Sequence, residues 1–460
     1  MTIDTVITGG TVVTETGQYE ASVGVNGGEI VAVGRESTLP DAEETVDASG
    51  QLVLPGVVDV HVHVADQFSE DSYRSATEAA AIGGTTTYVD FAWQAWTGDL
   101  SPFDAEGTLL DGIERKQEKA GDAVIDYGLH GSITREDPAV LEEIPDAIKA
   151  GVPTFKMFTA YEIGLSNGFM NRVMKRLADE NAVGVFHTED TSVCEDLVAQ
   201  FQEEGKSDAT WFPKSRPDYS EAMAAEDAVR MAAEAGMQYY GIHTSCREAA
   251  DVLETFQEKH GSELVRAETC LHYTVLDNSI YKEMGNLPVI QPPIRGEDDV
   301  EAMFEYFDDG VLNVLSTDHC AYRREQKEGV PWWDTNPGAN ALQTSLSVFY
   351  DEAVNSRGYD PSFVVETMCS NPSRTFGIPR KGTLDPGTDA DIVLFDPDAS
   401  YTITADDNVG AADYTIYEGR EVTGRPTKTF VRGEVVAEEG RAVGEPGHGQ
   451  FLEREVPDWS

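Results

Sequence analysis

Between residues 57 and 320 two hydrophobic patterns take turns along the chain. Short, nearly continuous apolar runs occur at VVDVHVH, TTTYVDFAW, VIDYGLHGSIT, TFKMFTA, VGVFHTE, QYYGIHTSC, LVRAETCL and VLNVLSTDH. Most are separated by stretches with apolar residues at three-to-four spacing, such as SYRSATEAAAIGG, AVLEEIPDAIKAG, FMNRVMKRLADENA and REAADVLETFQEKHG. Runs of the first kind read as buried strands, and those of the second as amphipathic helices. Eight strands alternating with helices predict an α/β chain built on a (β/α)8 TIM-like barrel, with its active site at the C-terminal ends of the strands. The region from about 190 to 236 is longer than one crossover needs, and its WFPKSRPDY stretch is expected to be an excursion near the site mouth.

The two ends differ in texture. Residues 1–55 and those after about 380 carry short β-type runs punctuated by glycine (TVITGGTVVTE, EIVAVG, DADIVLFDP, TKTFVRGEVVAEEG) and show no helical period. Two β-rich ends most simply join in one small sandwich. The expected division is therefore 1–55 plus 380–460 as a β-sandwich domain with a C-terminal tail, and 56–379 as the barrel.

Composition narrows the partners. At 460 residues and 40% hydrophobic, the chain can fill one large core and a smaller one. Asp+Glu number 83 against 33 Lys+Arg, a formal charge of -50 spread through the sequence. Such a surface repels nucleic acid and anionic membranes, and resembles proteins of a high-salt cytoplasm, where salt screens the self-repulsion. With no leader-like or spanning run, the expected location is the cytoplasm. The five cysteines (Cys194, Cys246, Cys270, Cys320, Cys369) are scattered, lack a CxxC pair, and read as free thiols at small buried positions.

The chemistry starts in LPGVVDVHVH, residues 54–63. In a strand, His61 and His63 share one face while Val60, Val62 and Val64 take the other. Two converging imidazoles suit a divalent transition metal; the alternative is a pair of hydrogen-bonded histidines in a sheet. An acidic loop follows (Asp66, Glu70, Asp71). Further candidate ligands sit late in other strands: Lys156 in the fourth, His187 in the fifth, His243 in the sixth and Asp318 in the eighth. Lys156 lies inside the apolar run FKMF, where a bare ammonium is costly. It either snorkels or pairs with a carboxylate, or it is a neutral amine open to chemical modification. His130 closes a strand and either touches the site or supports it by a hydrogen bond. His319 and His272 read as pocket-wall or supporting residues, His260 and His448 as surface residues. GGTTT at 83–87 is a turn, for it lacks the lysine and spacing of a phosphate loop.

PGVVDVHVH, GGTTTYVDFA, DYGLHGSIT, FKMFTAY, HTED, HTSC, AETCLHY, STDHC, SNPSRTFGIPRKGTLDPGTDADIVLFDP and GHGQFLERE occur in that order. In this ordered set the chain resembles the amidohydrolase superfamily, and within it the dihydropyrimidinase and hydantoinase group. The resemblance implies two divalent ions, zinc by expectation. His61 and His63 would hold one with Asp318, His187 and His243 the other, and Lys156, carbamylated by carbon dioxide, would bridge them. It further implies attack of a bridging hydroxide on a cyclic ureide or imide, with Asp318 moving the proton and Tyr161 stabilising the oxyanion. Homotetramers are expected on the same ground. Three departures bear on the substrate: Gln291 stands where hydantoinases usually have a ring-contacting serine, NPGANALQ around Asn336 replaces the usual Pro-Asn-Gly stretch, and His272 is more typical of allantoinases. Gln291 and Asn336 are the candidate substrate contacts. The alternatives are an allantoinase-like hydrolase and a non-catalytic scaffold relative, the latter opposed by the retention of all six ligand positions.

Overall fold

The computed structural model describes residues 2–94 and 107–459. Seven parallel strands, Val57–His63, Thr85–Trp93, Asp126–Ser132, Thr154–Phe158, Val183–His187, Gln238–Gly241 and Val265–Cys270, are each hydrogen-bonded to the next. The eighth is broken. Its first part, Val314–Ser316, pairs with the seventh strand, and its second, His319–Cys320, pairs with the first, so the ring closes into the barrel. Asp318 occupies the break with a φ of 47°.

The strands are buried on both faces, which accounts for their unbroken apolar runs. Val58, Val60, Val89, Val183, Val185, Tyr240, Ile242 and Val314 form one cluster contributed by strands from around the ring, hence its interior. Outside, amphipathic helices cover the wall. Asn167–Asp179 is typical: Ser166 caps it by accepting from the Phe169 N–H, and Phe169, Met170, Val173, Met174 and Leu177 form its buried stripe. Each such side chain contributes about 1.5–3 kcal/mol when fully buried. Gly83 lies in the turn into the second strand, where a Cβ would meet the Leu342 carbonyl oxygen at 2.2 Å.

In the first strand the expected alternation does not hold throughout. Val60 joins Val58 inside the barrel, whereas Val62 and Val64 pack with Tyr73, Ala76 and Ala80 of the covering helix Tyr73–Ile82. The cause is a register shift between Asp59 and Val62 against the second strand. An irregularity of this kind re-aims the side chains that follow it.

Strands from both ends of the chain share a seven-stranded sheet, in which Leu52–Pro55 pairs with Ile392–Thr402. Beside it stands a four-stranded sheet made only of N-terminal strands. The last residues turn back beneath the barrel: Leu452 donates to the Tyr127 carbonyl, the Arg454 guanidinium donates to Thr154 Oγ1 (2.9 Å), and Trp459 enters the interior cluster.

Candidate metal centre

Beyond the register shift, His61 and His63 rise to the C-terminal rim and face Asp318. Asp318 Oδ1 lies 3.1 Å from His61 Nε2 and 3.4 Å from His63 Nε2. Ligand atoms of all three fall within 4.8 Å of one another. On its far side His61 Nδ1 meets the buried Glu268 carboxylate at 2.7 Å, which fixes the tautomer and leaves Nε2 as the atom aimed at Asp318. His61 Nε2 nevertheless makes no well-angled hydrogen bond, although it is buried. Two electron-rich atoms 3.1 Å apart without a well-formed hydrogen bond suit a shared cation, and imidazole nitrogen with carboxylate oxygen is a donor set that zinc accepts.

A second pair lies alongside. His187 Nδ1 and His243 Nε2 are 2.7 Å apart, and His187 Nε2 meets Glu189 Oε2 at 3.0 Å, so Nδ1 is the nitrogen turned inward. The His61 and His243 rings are 5.4 Å apart, which places both pairs in one basin. Burial, reinforced by the neighbouring His187, holds the His243 ring well below the usual imidazole range, and burial takes His63 down to about 4. Both are therefore neutral, as metal ligation requires. Burial opposes the Asp318 charge, yet the His61 and His63 rings hold its carboxyl well below the ordinary carboxylate range.

Lys156 closes the basin from the fourth strand. Its Nζ lies 4.4 Å from the Phe91 ring centre and 4.8 Å from that of Phe158, and among the described residues no carboxylate pairs with it. The residue is 1% exposed, so it neither snorkels nor forms an ion pair. Burial pushes its ammonium down to about 8, which leaves a useful fraction of free amine near neutral pH. The six candidate ligands line a single cavity of about 720 Å³ together with Tyr161, Gln291 and Asn336. Tyr161, His243 and Asp318 all have positive φ (68°, 39° and 47°), unusual conformations gathered around one cavity.

Three charged side chains complete the site without having stood out in the chain. Glu268, besides His61, accepts from the Tyr240 hydroxyl and Ser316, both at 2.9 Å. Glu189 accepts from Arg216 at 2.6 Å, and Arg216 comes from the long excursion after the fifth strand. The signal for both glutamates is a carboxylate at the end of an apolar strand, in AETC and HTED. Glu268→Ala is expected to lower metal affinity by about 10- to 100-fold, the usual cost of losing such a support. Metal retention under graded chelation checks this, with unchanged retention as the contrary result.

The remaining histidines sort clearly. His130 is a support below the basin, its Nδ1 2.7 Å from Thr154 Oγ1 and its Nε2 3.0 Å from the Val60 carbonyl. His319 meets Asp71 at 3.0 Å, and His272 is buried against Tyr273. His448 and His260 are half-buried at the surface; the tail folds back so that His448 Nε2 meets the Val431 carbonyl at 3.1 Å. The acidic loop is structural at two of its positions: Asp66 pairs with the buried Lys116 at 3.2 Å, and Asp71 accepts from Ser75 at 2.7 Å.

Comparison with known proteins identifies the family of the chain. The model of the Amidohydrolase family matches residues 52–436. A D-hydantoinase of Geobacillus stearothermophilus is 34% identical over 464 residues, covering 97% of this chain and 96% of the relative. An allantoinase of Escherichia coli K12 is 31% identical, covering 98% and 99%. A crystal structure of dihydropyrimidinase from Brevibacillus agri superposes with a TM-score of 0.93 at 30% identity, covering 98% of this chain and 99% of that one.

Proposed function

The chain belongs to the amidohydrolase family, within its hydantoinase group, and is a cyclic amide hydrolase; on that premise we propose that it opens cyclic ureides or imides of the dihydropyrimidine or hydantoin type. The family implies a binuclear metal centre. The observation that carries the finer reading is the unpaired, buried Lys156 amine among four histidines and Asp318 in one cavity. In this reading His61, His63 and Asp318 would hold one ion, His187 and His243 the other, and Lys156, once carbamylated, would serve as a ligand to both. Its amine attacks carbon dioxide, a C–N bond forms, and the nitrogen loses its proton. When bound, two divalent ions, zinc by preference, lower the pKa of water towards neutrality and polarise the carbonyl to be cleaved.

The chain's own residues do the rest. Asp318, held as a carboxylate, accepts the proton of the attacking water and returns it to the departing ring nitrogen. Tyr161 stands at the cavity wall and donates its O–H to the carbonyl oxygen as that oxygen becomes anionic. Phe68, Trp93, Phe158 and Ile163 line the same cavity and exclude bulk water from the ring. Gln291 and Asn336 are the proposed contacts to the ring's polar edge. Turnover of hydantoin, dihydrouracil, allantoin and dihydroorotate by metal-loaded protein tests the ring assignment. The first two should be opened fastest, whereas a clear preference for allantoin would favour the second reading, to which the 31% identity to an allantoinase and the buried His272 lend support.

The reading includes a cytoplasmic homotetramer adapted to high salt. Open sheet edges support assembly: Gly17–Glu20 ends the seven-stranded sheet, and its Tyr19 is 49% exposed. No helix among the described residues is long and apolar enough to cross a membrane. With a charge of -50, repulsion should weaken as the screening length falls from about 10 Å at 0.1 M to about 3 Å at 1 M salt. The melting temperature should accordingly climb between 0.1 and 2 M potassium chloride, on the order of the molar range in which screening saturates. A flat profile would contradict the salt adaptation.

A further inference from the structure

Gln291 does more than line the cavity. With its amide oriented to satisfy both neighbours, its N–H donates to the Tyr161 hydroxyl oxygen at 3.1 Å, and its carbonyl oxygen accepts from Arg216 Nη2 at 2.9 Å and Nε at 3.2 Å. Arg216 is itself held by Glu189 Oε2 at 2.6 Å and is only 9% exposed. The guanidinium thus fixes which way the amide faces, because a flipped amide would set its NH2 against N–H donors. The amide in turn fills an acceptor position of the phenol. With that position taken, the phenol's single proton must point elsewhere, and its present acceptor is Glu189 Oε2 at a long 3.4 Å. A donor so weakly engaged is free for a stronger acceptor, and a phenol that accepts one hydrogen bond donates the next more strongly.

We propose that Gln291 is a positioning residue for the reaction: through the chain Arg216, Gln291, Tyr161, it directs the Tyr161 O–H at the developing oxyanion. This rests on the oxyanion role proposed for Tyr161 and adds a second task to a residue otherwise assigned to the substrate.

The test is a double-mutant cycle on kcat. Gln291→Leu should lower kcat by about tenfold, the scale of one ordinary hydrogen bond, with metal content and melting temperature unchanged. In the Tyr161→Phe background the same substitution should leave kcat within about twofold, since the hydroxyl it acts through is gone. Equal falls in both backgrounds, or an unchanged kcat in Gln291→Leu alone, would overturn the proposal. If the leucine variant folds poorly, Gln291→Glu decides. It keeps the shape and the Arg216 partner but offers the phenol no N–H and draws its proton away from the substrate. Its kcat should fall at least as far, and only while Tyr161 is present; wild-type turnover there would also overturn the proposal. Near-normal turnover by Tyr161→Phe alone would remove the premise as well, so the failure of the oxyanion role and the failure of the Gln291 link give different results.

Discussion

Lys156→Ala is expected to leave the chain folded but with most of its metal lost and turnover reduced by roughly 10³-fold or more, the scale seen when one member of a group acting as a unit is removed. A buried ammonium without a carboxylate costs desolvation, which the faces of Phe91 and Phe158, 4.4 and 4.8 Å from Nζ, offset only in part. The buried carboxylates Asp318 and Glu268 act on the amine across the basin without forming an ion pair with it. The proposed carbamylation would give this costly position its use. A short-chain carboxylic acid supplied to the variant should partly restore metal and turnover by taking the place of the carbamate. Two full metal equivalents in the untreated variant would contradict the bridging role.

Tyr161→Phe should separate the two readouts, keeping both metals while kcat falls by roughly 10²- to 10³-fold, the loss typical of one oxyanion donor. Tyr161 sits beyond the fourth strand with a φ of 68°, its ring 4.8 Å from that of His187 and its hydroxyl bonded to Gln291 and Glu189. Burial, with the Glu189 carboxylate beside it, holds the phenol well above its ordinary range, so it remains a proton donor at every working pH. A hydrogen bond that strengthens as the carbonyl becomes anionic changes kcat more than KM. A ring that merely packed the loop would be replaced by phenylalanine without loss. A kcat within about twofold of wild type would therefore remove Tyr161 from the chemistry.

The parts of this site that were legible in the chain are those carried by local pattern. His61 and His63 stand out because two residues of spacing bring side chains to one face of a strand, and Lys156 because a charge interrupts an apolar run. The barrel follows from strands and helices alternating eight times. What was hidden depends on register and on distance along the chain. The shift between Asp59 and Val62, which puts Val60 and His61 both to the interior, is a property of pairing with the second strand and leaves no mark in VVDVHVH itself. The break that gives Asp318 its positive φ, with Val314–Ser316 on the seventh strand and His319–Cys320 on the first, leaves no mark in VLNVLSTDH. Glu268 meets His61 across 207 positions, and Arg216 reaches Glu189 from an excursion that showed only its length. Gln291 was visible as an unusual residue, but its bond to Tyr161 required the fold.

Carbon-13 nuclear magnetic resonance of the metal-loaded protein after equilibration with labelled bicarbonate tests the bridging lysine most directly. One carbamate carbon per chain is predicted for the wild-type protein, absent from Lys156→Ala and lost together with the metal and turnover when carbon dioxide is removed before metal loading. A wild-type protein holding two metals and turning over at full rate, with no labelled carbon on Lys156, would contradict the account.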